Sequence, residues 1–180
     1  MILDKRLINN SGFFIRDLHL TDADDYFSVL THPDVQPVIP EQLVPKSTFD
    51  MIRTITTLKA LSLSNQGAYW AICSPDNQLI GACGFESWNR FHKRLEMAFE
   101  LHPDHQGQGI MTQALRTITN IGFNEMDALR IEAFTLTTNK PSIKVLERVG
   151  FEHEAELKKY RMFNQKIRNI HIFALTNDSN

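Results

Sequence analysis

Met97-Ala98-Phe99-Glu100-Leu101, then His102-Pro103-Asp104-His105, then Gln106-Gly107-Gln108-Gly109-Ile110-Met111-Thr112 read as strand, turn and helix start. Pro103 ends the strand because it cannot donate to a ladder. The two glycines permit positive φ and a close approach of backbone to whatever lies in front of the helix. The first-turn N–H groups have no intrahelical acceptor, and with the helix dipole they make an anion site. Each such contact contributes about 0.3–1 kcal/mol at an exposed site, so several together hold a pyrophosphate. A plain helix start without a ligand is the other reading of the glycines alone.

Working outward, the helix runs from about Gly109 to Met126, with Met111, Ala114, Leu115, Ile118, Ile121 and Gly122 on its inner stripe. Strands are read at Arg94 to Leu101 before it and Arg130 to Thr137 after it. Asn139 caps a short helix that stops at Gly150, a good left-handed residue. Glu152 to Phe163 and Lys166 to Thr176 form a last hairpin across Asn164-Gln165. Towards the N-terminus, Ala68 to Ser74 and Gln78 to Trp88 form a hairpin across Pro75-Asp76-Asn77. Ser47 opens a helix in capping-box style, with Asp50 in the place of Glu or Gln and an apolar face of Met51, Ile52, Ile55, Leu58 and Leu61. Thr21 is expected to cap an earlier helix starting at Asp22, and Phe13 to Leu20 reads as the first strand. The order β-α-α-β-β-β-α-β-α-β-β is that of a mixed α/β (α+β) sheet, neither wholly parallel nor a bundle.

The 180 residues are 42% hydrophobic and 22% charged, which fits one globular domain, 1–180, with its core at about 13–176. A net charge of −2 lacks the electrostatic footprint of a general nucleic-acid binder, so no direct nucleic-acid binding is expected. Cys73 and Cys83 lie in apolar strands and read as buried free thiols, with no metal site. Met1-Ile2-Leu3-Asp4-Lys5-Arg6 meets charge at once, unlike a secretory leader, and no apolar run reaches membrane-spanning length. A cytoplasmic protein away from membranes, monomer or homodimer, is the expectation.

Among phosphate-binding turns, the P-loop needs G-x-x-x-x-G-K-[ST], and no lysine follows here. A dinucleotide fingerprint needs a third glycine where Thr112 stands. Glu132 lies at the right distance for a ribose but inside its strand, and the antiparallel N-terminal run disagrees with a doubly wound sheet.

The turn does resemble the cofactor motif Q/R-x-x-G-x-G/A of the GNAT acetyltransferase superfamily, matching at Gln106 and Gly109 and departing at Met111. Gly107-Gln108-Gly109-Ile110-Met111-Thr112-Gln113-Ala114-Leu115 is similar to the G-x-G-x-x-T-x-A-L variant of the RimJ/RimL-type ribosomal-protein N-terminal acetyltransferases. Asn139, Ser142, Val145-Leu146-Glu147 and Gly150-Phe151 fit the same branch's N-x-x-S-x-x-V-L-E-x-x-G-F, and Arg16-Asp17-Leu18 is also usual there. The resemblance covers about Phe13 to Leu175.

It implies a GNAT fold: a mostly antiparallel seven-stranded sheet splayed between two central parallel strands, with about four helices on both faces. It implies acetyl-CoA as cosubstrate, with main-chain groups around Phe99 to Leu101 holding the pantetheine and N–H groups of Gln106, Gly107, Gln108, Gly109, Ile110, Met111 and Thr112 holding the pyrophosphate. Asn139 and Ser142 would lie near the thioester, and Lys144 or Arg148 near the adenosine phosphates, unless these two are only a solvated face. The reaction is direct attack of an amine on the thioester. Ser142 is the candidate acid for the leaving thiolate, or else a cap of its own helix. Glu100, Glu132 and then Glu96 are the candidate bases, and His102 and His105 flank the turn. The glutamate that related ribosomal-protein enzymes carry five residues before the asparagine is Phe134 here. An α-amine with pKa about 7.7–8.0 needs little help to deprotonate, whereas a lysine at about 10.4 costs nearer 5 kcal/mol. Weak base candidates, with water sufficing, therefore favour a protein N-terminal acceptor. A small amine, or a non-catalytic acyl-CoA-binding module, are the alternatives. A polyamine acceptor calls for an acidic cleft, and Asp22, Asp24 and Asp25 are the modest acidic cluster available.

Overall fold

The computed structural model describes residues 12–177 together with the two-residue strand Leu7–Ile8. In chain order the elements are β1 (Leu7–Ile8), β2 (Phe14–Asp17), α1 (Ala23–Thr31), α2 (Thr48–Leu63), β3 (Ala68–Cys73), β4 (Leu79–Asn89) and β5 (Arg94–Leu101). They continue as α3 (Ile110–Asn124), β6 (Arg130–Leu136), α4 (Lys140–Val149), β7 (Glu152–Phe163) and β8 (Lys166–Thr176). The expected seven strands and four helices are all present, and the short β1 extends the sheet by one. The sheet order is β1-β2-β3-β4-β5-β6-β8-β7, antiparallel at every pairing except β5–β6.

Each face of the sheet is covered. The stripe of α3 packs with α4 over Phe85, Leu95, Ile131 and Phe173, and Leu115, Ile118 and Leu146 are fully buried there. Burying each such side chain stabilises the fold by roughly 1.5–3 kcal/mol. On the other face α1 and α2 bring Tyr26, Leu30, Met51 and Ile55 against Tyr69, Ala71 and Cys73. Cys73 and Cys83 are both buried thiols, as expected.

One helix start differs from the sequence expectation. Thr21 does not cap α1: Leu20–Asp22 forms a single 3₁₀ turn and α1 begins at Ala23. The reason is Asp22, whose carboxylate accepts the His19 N–H at 2.7 Å and both Nη groups of Arg16 at 2.7 and 2.8 Å. Ser47 does cap α2, its Oγ accepting the Asp50 N–H at 3.1 Å. The Asp50 carboxylate reaches one residue further back than a capping box, to the Lys46 N–H at 3.2 Å.

The fork in the sheet positions the site. Pairing of β5 with β6 runs from Arg94 opposite Arg130 to Met97 opposite Ala133 and stops there. Beyond it β5 stays with β4 as far as Leu101 opposite Gly81, and β6 stays with β8 as far as Leu136 opposite Ile170. A register shift at Glu86, the extra residue between Phe85 and Ser87, bends β4 beside the fork, as bulges do. Ala98–Leu101 and Phe134–Leu136 therefore line opposite sides of a gap.

Candidate active site

A cleft of about 1220 Å³ fills this gap and runs from the glycine turn to the N-terminal end of α2. Of the residues expected to bind cofactor, Phe99, Leu101, Gln106, Gly107, Gly109, Ile110, Met111, Thr112, Asn139, Ser142 and Lys144 all line it. Gln108 does not.

The turn is shaped by its glycines. Gly107 and Gly109 have φ of +75° and +79°, where an L side chain is strained. A Cβ on Gly107 would meet nothing within 4 Å, and one on Gly109 only Gln113 Nε2 at 3.9 Å. Space is thus open in front of the first N–H groups of α3, which fits an anionic group. The two glutamines brace this turn from behind. Gln106 Nε2 donates to the Leu101 carbonyl at 3.0 Å, and Gln108 Nε2 donates to the Asp104 carbonyl at 3.0 Å. The side chain of Gln108 is therefore spent on the loop, and the Leu101 carbonyl is already engaged. His102 also serves the turn, accepting the Asp104 N–H on Nδ1 at 3.4 Å, while His105 lines the cleft.

The opposite wall is α4. Asn139 Oδ1 accepts the Ser142 N–H at 3.3 Å, so Asn139 is the cap and the Ser142 hydroxyl is left for the cleft. Lys140, Lys144 and Arg148 recur every four residues and line the same wall, giving it a basic stripe.

The three candidate carboxylates separate. Glu100 lines the cleft and accepts hydrogen bonds from the hydroxyls of Tyr26 and Tyr69, the latter at 3.0 Å to Oε2. Burial pushes its pKa up to about 8; the two tyrosine hydroxyls pull it down and neighbouring Glu86 adds to the rise. A carboxyl near neutral pH in a cleft is suited to proton transfer. Glu132 does not reach the cleft: it is buried and held by Arg130 at 2.7 Å and Arg94 at 3.5 Å, so the geometry gives it a structural place. Glu96 lines the cleft but is paired with Arg161 at 3.0 Å. Glu86, on the β4 bulge, lines it too, its pKa raised by burial and by Glu96. The Asp22, Asp24 and Asp25 cluster lies outside the cleft, bonded to Arg16, to the Thr48 hydroxyl and to the Leu79 N–H. Sequence reasoning missed Tyr26, Tyr69, Glu86 and Arg161. Tyr26 and Tyr69 meet on Glu100 across 74 and 31 residues, a pairing that no local pattern announces.

The sheet is thus forked between parallel strands, with a glycine turn at one end of the gap and a carboxyl of raised pKa in it. The chain belongs to the GNAT acetyltransferase family, whose domain matches residues 13–152. The probable N-acetyltransferase YjcK of Bacillus subtilis (strain 168) is 31% identical over 95% of this chain and 97% of its own length. The crystallised RimL, a ribosomal L7/L12 alpha-N-protein acetyltransferase in complex with coenzyme A, superposes with a TM-score of 0.88 over 98% of this chain and all of that one, at 18% identity. The ribosomal-protein-S5-alanine acetyltransferase from Vibrio fischeri gives 0.85 at 22% identity, covering 96% and 97% of the two chains. At these identities the two structures show the fold. A spermidine N(1)-acetyltransferase of Escherichia coli (strain K12) is 26% identical over 52% of this chain and 50% of its own.

Proposed function

We propose that this N-acetyltransferase moves the acetyl group of acetyl-CoA to a protein N-terminal α-amine, with Glu100 as general base. The observation that carries the reading is the Glu100 carboxyl, held by two tyrosines in the cleft with its pKa at about 8. That value matches the pKa of an α-amine, about 7.7–8.0, so proton transfer between them is close to even. A lysine amine at about 10.4 would have to give up its proton uphill by more than two units.

The N–H groups of the turn from Gly107 to Thr112 bind the pyrophosphate, and the basic stripe of α4, with Lys144 and Arg148, binds the adenosine phosphates. The β5 edge beyond Met97, including Phe99, holds the pantetheine arm as an added strand. Glu100 takes the proton lost by the amine as its nitrogen bonds to the acetyl carbon. Ser142 donates a hydrogen bond to the sulfur as the carbon–sulfur bond breaks. The Phe134 site, where a base is absent, is thus compensated from the neighbouring strand, and water alone is no longer the best base. The structural neighbours whose names carry protein N-terminal acceptors support this reading.

The test is thiol release from acetyl-CoA with peptides of differing N-terminal residue, with spermidine and with single amino acids, followed by mass spectrometry of the products. Acetylation at the peptide α-amine supports the proposal. Turnover with spermidine alone would move the enzyme to small amines, and acetyl-CoA binding without turnover on any amine would make the protein a binding module.

A further inference from the structure

Strand β7 loses register with β8 between Leu157, opposite Ile170, and Arg161, opposite Arg168. Lys158, Lys159 and Tyr160 thus face Asn169 alone. The bulge is pinned: Lys159 has φ of +51° and its N–H donates to Asn169 Oδ1 at 3.0 Å, while Asn169 Nδ2 donates to Glu156 at 2.5 Å. Bulges beside active sites re-aim side chains. This one turns two residues onto Phe134, the first β6 residue beyond the fork. Tyr160 stacks on its ring at 6.1 Å with planes 11° apart, and the Arg161 guanidinium lies over the same ring at 4.8 Å.

Arg161 is held on its other side by Glu96, through Nη2 at 3.0 Å, and its side chain is 33% exposed. That bond uses one of five N–H donors. No buried side-chain donor lacks a partner among the described residues, so the remaining N–H groups of Arg161 stay accessible, and its side chain lines the cleft. Stacking and ion pairing fix the guanidinium plane, and a fixed plane is what two-point recognition of a carbonyl or carboxylate oxygen requires.

We propose that Arg161 is a specificity residue that binds the oxygen of a carbonyl or carboxyl group on the carbon next to the acceptor amine. It thereby selects α-amino compounds, peptide N-termini above all. This rests on the acetyl-transfer reading and names the chemistry that reading requires of the acceptor.

The experiment compares alaninamide with isopropylamine, which share the amine and differ in the carboxamide, as kcat/KM corrected to free amine. Wild-type protein is set against R161Q and R161K, with acetyl-CoA affinity measured for each. A preference for alaninamide in the wild type that falls about 10- to 100-fold in R161Q, the range of a lost charge-assisted hydrogen bond, supports the assignment. R161K, which keeps the charge but not the fork, is expected to lose most of it as well. A ratio unchanged in R161Q overturns the assignment and leaves acetyl transfer standing. Failure of wild type to turn over any amine overturns both.

Discussion

Glu100 is where a single side chain decides most. Burial raises the pKa of its carboxyl to about 8, and Tyr26 and Tyr69 act against that by donating to the ionised form. Glu100→Gln keeps the size and loses the base, so kcat should fall at least about 100-fold, the low end of general-base contributions, with acetyl-CoA affinity intact. The rate profile should rise with pH towards about 8. Tyr69→Phe should push that rising limb to higher pH, because a hydrogen bond to the carboxylate lowers its pKa and the variant lacks it. Stopped assays of kcat at saturating acceptor from pH 6 to 9.5 check both. At the turn, Gly109→Ala places a methyl at φ +79°, a strain of about 1–2 kcal/mol, with its Cβ free of protein atoms but facing the proposed anion cradle. Its KM for acetyl-CoA should rise about tenfold, the size of one or two lost charge–dipole contacts, while an unchanged KM would remove the cradle from that turn.

At the level of elements, α4 shows how a local signal sets a functional wall. Asn139 accepts the Ser142 N–H, and Gly150, at φ +110°, ends the ten-residue helix, so the basic stripe and Ser142 face the cleft together. Asn139→Ala should cost about 1 kcal/mol of stability, read as a shift in the urea midpoint, while Asn139→Ser or Asn139→Asp should retain most of it. This helix, α3 and the strands were legible in the sequence because their periodicity, caps and terminating glycines are local. The glycine turn was legible for the same reason, since the residues that shape it adjoin one another. Three things were not legible. The start of α1 depends on Arg16 reaching Asp22 across a turn. The fate of Glu132 depends on two arginines from different strands, Arg94 and Arg130. The wall of the cleft around Glu86 and Arg161 depends on two bulges, at Glu86 and at Lys158 to Tyr160, which no alternation pattern announces because each interrupts one. In each case the missing information is a pairing set by the tertiary fold.

For the whole molecule, a cleft carboxyl held near pH 8 carries a cost in stability, and its sign can be worked out. Glu100 ionises near pH 4.5 in the unfolded chain and near 8 in the fold. Between these values the native state binds more protons, so stability is full below about pH 4.5 and is lost as pH rises through 8. Glu86, also raised, acts in the same direction. His171 acts in the opposite direction: its folded pKa is lowered by burial and by His153, so its contribution is lost as pH falls below 6.5, outside the window from 6.5 to 8. Within that window Glu100 removes on the order of 1–2 kcal/mol, which corresponds to roughly 2–8 °C in Tm for a domain of this size. Glu100→Gln cannot ionise, so its Tm should fall less than that of the wild type from pH 6.5 to 8 and exceed it at pH 8. Calorimetry of the two proteins at the two pH values decides the matter. Parallel slopes would mean that Glu100 is ionised in the native state well below pH 8, and it would then lose both its claim as a tuned base and its match to an α-amine.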